Sequence, residues 1–379
     1  MPAGDKEAPA WMSTRVTRRL GTTYPIVQGP FAGVPANRLA ALVSNLGGLG
    51  SIGAHGLEDS AIRDAIDQVR SETDKPFAVN LWVSTSDPGA THVGNEQIAR
   101  GISVLAPYYA ELGVTPPAGL QPKIQDFDRQ VRAAIDSRAP ILSFIYGVPP
   151  AEVMDECRRL GIPTLGTVTT AEEARALEQA GFDLIVASGF EAGGHRGSFL
   201  RSAEGSLTGT FSLIPQVADA VNIPVIAAGG IADGRGVAAA FALGAEAVLL
   251  GSAFLACVES GASEAYRSAL LSRSDRGTGL TTALTGRMAR AIDNRLMSET
   301  KAAMDAPLPY PVQHALIRTV AEPASIEQRT DLTPLWAGQS INLLRFTEAE
   351  RLMAALIEDA DACLRKMANG RQAHKMEKG

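Results

Sequence analysis

The chain has 379 residues, 45% of them hydrophobic and 20% charged, which supplies a large core and excludes wholesale disorder. Lys and Arg number 35 against 41 Asp and Glu, a net charge of −6, and no basic run is long enough to follow a phosphate backbone, so nucleic acid is not an expected partner. No run of ~18 apolar residues offers a membrane span, no apolar leader core opens the chain, and Cys157, Cys257 and Cys363 lie too far apart for a disulfide framework, which suits a reducing, cytoplasmic setting.

Residues 1–19 read as a flexible arm. From Tyr24 to about residue 260 one unit recurs: a short apolar run ending in Gly or a small polar residue, then an amphipathic helical stretch. The apolar runs fall at 25–29, 48–53, 77–81, 141–147, 164–168, 184–189, 225–230 and 247–252. Helical stretches lie between them at 37–45, 59–72, 127–137, 152–160, 171–180, 213–220 and 234–243. Near-continuous apolar strands alternating with helices imply a parallel sheet covered on both faces. Eight such units over ~240 residues fit an α/β fold of the closed (β/α)8 type, a barrel over 20–260, better than an open sheet. Residues 83–121, rich in Pro and Gly and with one short helix expected among them, read as an insertion between the third strand and its helix. After about residue 261 the rhythm stops. Residues 261–368 read as a mostly helical C-terminal extension: 263–272, TGRMARAIDNRLMSE, a Pro-rich turn PLPYPVQ, LWAGQSI and a helix 348–367. It caps the barrel edge, or closes one pocket together with it. Residues 369–379 read as a second flexible end.

In such a barrel the site forms at the C-terminal strand ends. The seventh and eighth strands end in Gly229–Gly230 and Gly251–Ser252. Backbone N–H groups at these corners, with the Ser252 hydroxyl, suit a phosphate. Its owner is FMN or a sugar phosphate. The sixth strand runs into DLIVASGFEAGGHRGSF, a loop with Glu191, Gly193, Gly194, His195 and Arg196. Its glycines suggest a flat ligand against the backbone, and His195 is a candidate acid, base or anion anchor. Arg196 reads as a solvated charge. The first strand carries Gln28 into the turn Gly29-Pro30-Phe31-Ala32-Gly33, and the third places Asn80 inside an apolar strand, where its amide needs a partner. His55, His92, His314 and His374 show no metal-ligand spacing, and no HExxH, CxxC or GxSxG motif occurs, so neither a catalytic metal nor a covalent nucleophile is expected.

Together, PIVQGPFAG, SNLGGLGSIG, FAVNLW, EAGGHRG, AAGGIADGRG with LGSAF, TGRMARAI, PLPYP and LWAGQ resemble the nitronate monooxygenase family, also called 2-nitropropane dioxygenase-like flavoproteins, over roughly residues 20–345, with the C-terminal motifs of its class I members. The resemblance implies an FMN-dependent TIM barrel that oxidises alkyl nitronates, or nitroalkanes, with O2 to carbonyl compounds and nitrite. By position, His195 carries over as the catalytic histidine. Asn80, Ser188, Gly193, Gly230, Leu249, Leu250, Gly251 and Ser252 carry over as FMN contacts, and Gly338 and Gln339 less securely; Gln28, Pro30, Phe31, Gly194 and Gly229 join them as expected cofactor-binding residues from their places at the strand ends and in the glycine-rich loop. The chain departs from the family pattern at Gly29 and Phe31 in the first turn and at Ser188, which is shorter than the usual polar residue; Ser252 keeps the hydroxyl of the usual Thr. A homodimer is compatible with this reading. NAD(P)H-dependent enoyl-acyl-carrier-protein and quinone reductases resemble the same family, and a flavin-free sugar-phosphate isomerase or lyase and a non-catalytic ligand-binding module also remain open.

Overall fold

The computed structural model describes residues 9–83, 93–123, 126–272, 277–304 and 306–376. Its strands are β1 (Ile26–Gln28), β2 (Gly50–Gly53), β3 (Phe77–Trp82), β4 (Ile141–Ile145), β5 (Thr164–Val168), β6 (Leu184–Ser188), β7 (Gly194–His195), β8 (Val225–Ala228), β9 (Ala247–Leu250), β10 (Thr278–Thr281) and β11 (Ala289–Ile292). Eight of them pair in parallel in the order β1-β9-β8-β6-β5-β4-β3-β2. A bridge between Val27 and Leu49 joins the two outer strands, so the sheet closes into the expected barrel. Among the described residues no helix is long and apolar enough to cross a membrane.

Alternation along each strand sorts the side chains. Val27, Ala78, Ile141, Leu165, Leu184, Val186 and Ile226 form one buried cluster, the barrel interior. Their neighbours Ile26, Val79, Leu142, Ile185, Val225 and Val248 belong to another, shared with the surrounding helices. The helices start where the sequence offers caps: Asp126, Thr170 and Asp233 accept backbone N–H bonds from Arg129, Glu173, and Arg235 with Gly236. Helix Asn37–Asn45 seats directly on β2, where a Cβ at Gly50 would lie 1.9 Å from the Ala40 carbonyl oxygen.

Three features differ from the sequence expectation. The stretch read as a flexible arm contains a capped helix, Arg15–Leu20, whose Val16 and Leu20 are buried in the barrel-interior cluster. The insertion holds two helices, Asn95–Val104 and Ala106–Glu111, and residues 84–92, with His92, lie outside the described residues. In the extension, the segment read as helical splits: residues 289–292 form β11, and the helix is Arg295–Ala303. β11 pairs antiparallel with β10 and with β7, the Gly-rich loop itself. Local propensity yields here because β10 on one side and the strand edge at Gly194–His195 on the other supply hydrogen bonds that an isolated helix could not match. A further helix, Val312–Ile326, follows the PLPYP turn, and helix Ala349–Met376 packs on Gly234–Ala242.

Candidate active site

A cavity of about 990 Å³ opens at the C-terminal ends of the barrel strands, between the barrel and the extension. Pro30 and Phe31 line it after β1, Asn80 on β3 and Ser188 on β6. The Gly-rich loop contributes Gly193, Gly194 and His195; the last two corners contribute Gly229, Gly230, Leu249, Gly251 and Ser252. Gly338 reaches the same wall from the extension, donating its N–H to Ser252 Oγ at 2.9 Å. Ser340 Oγ donates to the Gly230 carbonyl, so one extension segment ties both corners together.

Three of the residues expected to bind the cofactor do not line this cavity. Gln28 turns away from the cavity and accepts the Ser51 N–H at 2.8 Å through Oε1, which fastens the β1–β2 seam. Leu250 belongs to the helix-facing core, because alternation from Leu249 points it outward. Gln339 is exposed, and its N–H donates to the Glu191 carbonyl at 2.9 Å. The Asn80 amide finds its partner in Ser143 Oγ at 3.0 Å.

Arg196 is not solvated. It is 2% exposed, and its guanidinium donates to the Gly189 carbonyl at 2.6 Å and the Ser188 carbonyl at 2.8 Å. Burial pulls its pKa down to about 10, against the attraction of Glu191 and Glu173. Glu191 caps helix Thr210–Ala218 by accepting from the Thr210 N–H and hydroxyl. Both charged residues of the loop therefore hold its shape.

His195 sits among aromatic rings. Trp82 meets it edge-on with centroids 5.0 Å apart, and Trp336 is 5.1 Å away. Its Nε2 is 2.9 Å from Thr285 Oγ1 in the β10–β11 turn. His55 stacks on Trp82 at 3.6 Å, and its Nε2 lies 2.6 Å from the Tyr310 hydroxyl. Arg287 lies over Tyr146 at 4.2 Å and Tyr310 at 4.7 Å, within cation–π range. Burial, reinforced by the charges of His55, His314 and Arg287, holds His195 well below the ordinary histidine pKa. Burial also draws His55 down to about 3 and lowers His314. At neutral pH His195 is thus an uncharged imidazole, able to accept a proton.

Sequence reading missed Trp82, Tyr146, Thr285, Arg287 and Trp336. Trp82 had a signal, since it lies two residues beyond Asn80 on the same strand face. Thr285 and Arg287 lie in the TGRMARAI motif and Trp336 in LWAGQ, both singled out above without a role for those side chains, whereas Tyr146, with φ of +74°, had no signal without the fold.

The nitronate monooxygenase family model matches residues 13–359. A probable nitronate monooxygenase of Staphylococcus haemolyticus is 38% identical over 356 residues, covering 93% of this chain and 99% of the relative. One from Staphylococcus aureus is 39% identical over 349 residues, covering 92% and 97%. Among solved structures, a nitroalkane oxidase from Streptomyces ansochromogenes superimposes with a TM-score of 0.84 at 36% identity, covering 93% of this chain and 99% of that one. FabK from Thermotoga maritima gives 0.74 at 30%, covering 94% and 99%. Set beside the barrel, the glycine corners and the histidine loop, these matches show that the chain belongs to the nitronate monooxygenase family, as one of its enzymes.

Proposed function

We propose that the protein oxidises alkyl nitronates, and nitroalkanes after deprotonating them, with O2 to carbonyl compounds and nitrite, using bound FMN. The carrying observation is the uncharged imidazole of the glycine-rich loop, His195, on the wall of a cavity that also includes His55, His314 and the glycine corners after β8 and β9. The residues present fit such a cofactor. Gly251 has φ of −94°, open to any residue, and a Cβ there would meet nothing within 4 Å. Neither backbone nor packing calls for glycine at that point, and the space is left to the cavity.

Gly229, Gly230, Gly251 and Ser252 would hold the phosphate through N–H groups and the Ser252 hydroxyl. Asn80, Ser188, Gly193, Gly194 and Leu249 would border the ring, with Pro30, Phe31 and Gly338 along the rest of the wall. FMN supplies the electron-accepting chemistry when bound. His195 takes the α-proton of a nitroalkane on its free ring nitrogen. Trp82 and Trp336 limit the contact of that ring with water, which keeps it uncharged.

Two measurements test the reading: the absorbance spectrum of the purified protein, and nitrite release in air from a nitroalkane and from its preformed nitronate. A flavin spectrum with nitrite release supports it; a colourless protein that takes up no FMN overturns it. The likeness to FabK favours a second reading, an NAD(P)H-dependent reductase of enoyl or quinone type in the same site. Rapid anaerobic bleaching of the flavin by NADH would select it.

A further inference from the structure

Thr285 lies in the turn between β10 and β11, 1% exposed, and its single hydroxyl touches three groups. Oγ1 is 2.9 Å from His195 Nε2 and 3.0 Å from the Arg287 carbonyl oxygen, and the Arg287 N–H donates to it at 3.3 Å. Two oxygens 3.0 Å apart need a hydrogen between them, and a carbonyl carries none. The Thr285 proton therefore points at the Arg287 carbonyl. What faces the histidine is a lone pair, so a hydrogen on Nε2 must complete the third contact.

We infer that Thr285 is a positioning residue that fixes the tautomer of His195, holding its proton on Nε2 and reserving Nδ1 as the atom that accepts the substrate proton. The chemical consequence rests on the functional reading above; the tautomer does not. Among the described residues Nδ1 makes no hydrogen bond, and the ring forms part of the cavity wall. Which imidazole nitrogen is basic is set by the bond that the other one makes. The Thr285 hydroxyl has little room to turn. Its turn is closed by N–H bonds from Thr285 at 3.3 Å and Gly286 at 2.7 Å to the Thr282 carbonyl. β11 lies in register with His195 through Ala289, and the Arg196 N–H donates to the Met288 carbonyl at 2.9 Å.

The step balances as a proton transfer. The Cα–H bond of a neutral nitroalkane breaks and its electron pair moves into the C=N bond of the nitronate. The proton forms an N–H bond at Nδ1, and the resulting imidazolium keeps its Nε2–H on Thr285. The charged or titratable groups facing this ring are His55, His314 and Arg287, all acting against that imidazolium. The Thr285 acceptor is the neighbouring group that favours it.

The test uses flavin-loaded Thr285→Val, which keeps the shape but removes the hydroxyl, and Thr285→Ser, which restores it. In protein labelled with ¹⁵N-histidine, with the His195 signals identified by their loss in His195→Asn, wild type and Thr285→Ser should show a protonated Nε2 and an unprotonated Nδ1. Thr285→Val should lose that clear assignment. In kinetics on a nitroalkane and its preformed nitronate across pH 5–9, Thr285→Val should lower kcat/KM on the nitroalkane ~10- to 100-fold more than on the nitronate. Its acid limb should move to lower pH, and Thr285→Ser should recover both. A proton on Nδ1 in wild type overturns the proposal, as does an equal loss on both substrates or a Ser variant that behaves like Val. If wild type turns over neither substrate but shows the expected nitrogen signals, the nitronate reading falls and the tautomer assignment stands.

Discussion

His195 and the groups around it set the chemistry at the scale of single residues. His195→Ala should reduce nitroalkane turnover by about 10²–10⁴ while the protein stays yellow, because the lost group handles a proton and lies apart from the phosphate corners; steady-state nitrite release and the bound-flavin spectrum measure the two effects. Because the folded pKa of His195 is lowered, its basic form persists below the usual imidazole range. Nitroalkane kcat/KM should therefore hold as pH falls to about 6.5 and decline only on the acid side of that value. A limb centred above it would contradict the burial seen here. Asn80 and Arg196 show how far such roles can be read from letters alone. That Asn80 needs a partner follows from a polar amide in an apolar strand, but the identity of Ser143 follows from the β3–β4 register, which pairs them. Arg196 looks like a surface charge until the loop folds over it and turns it toward two carbonyls.

Among the secondary-structure elements, the corners and the β10–β11 hairpin shape the pocket. Gly251→Leu should strip flavin from the protein while leaving the melting temperature of the flavin-free form nearly unchanged, since the added side chain enters the cavity and meets no protein atom at its Cβ. Retention of full flavin content would show that this corner does not face the cofactor. Gly50→Ala should act in the opposite way. Its Cβ would strike the Ala40 backbone of helix Asn37–Asn45, and overpacking of this kind costs about 1–3 kcal/mol or more, visible in chemical unfolding. The hairpin depends on Arg290, 3% exposed, which donates to the Phe190 carbonyl at 2.9 Å and the Thr278 carbonyl at 3.1 Å. Periodicity cannot report such an element. Four residues of strand within a helix-compatible sequence become a strand because β10 and β7 flank them on either side.

For the whole molecule, barrel and extension act as one structure. Buried histidines make its stability depend on pH. His55 has a folded pKa of about 3, below its unfolded value, so between about 6.5 and 3 the unfolded chain binds the proton that the folded chain refuses. Stability therefore rises with pH through that window and is lost on acidification, at up to about 1.4 kcal/mol per pH unit for one such group. Melting temperatures of the flavin-loaded protein should fall from pH 7 to pH 4, and less steeply in His55→Asn; an unchanged slope in that variant would assign the acid sensitivity elsewhere.

The amino-acid order by itself determined the eight barrel strands, most of their helices, the glycine corners and the histidine loop, because each is written in local periodicity, caps or glycine placement within some ten to fifteen residues. The tertiary structure alone decided which of those residues meet. Closing the barrel made Leu249 an inner residue and Leu250 an outer one, and the closed β1–β2 seam gave the Gln28 amide the Ser51 N–H as its partner. It also brought Thr285, Arg287 and Trp336 from the extension to a histidine 90 or more residues earlier in the chain. Contacts at that separation are selected by the total burial and hydrogen bonding of the folded chain, which no local pattern encodes.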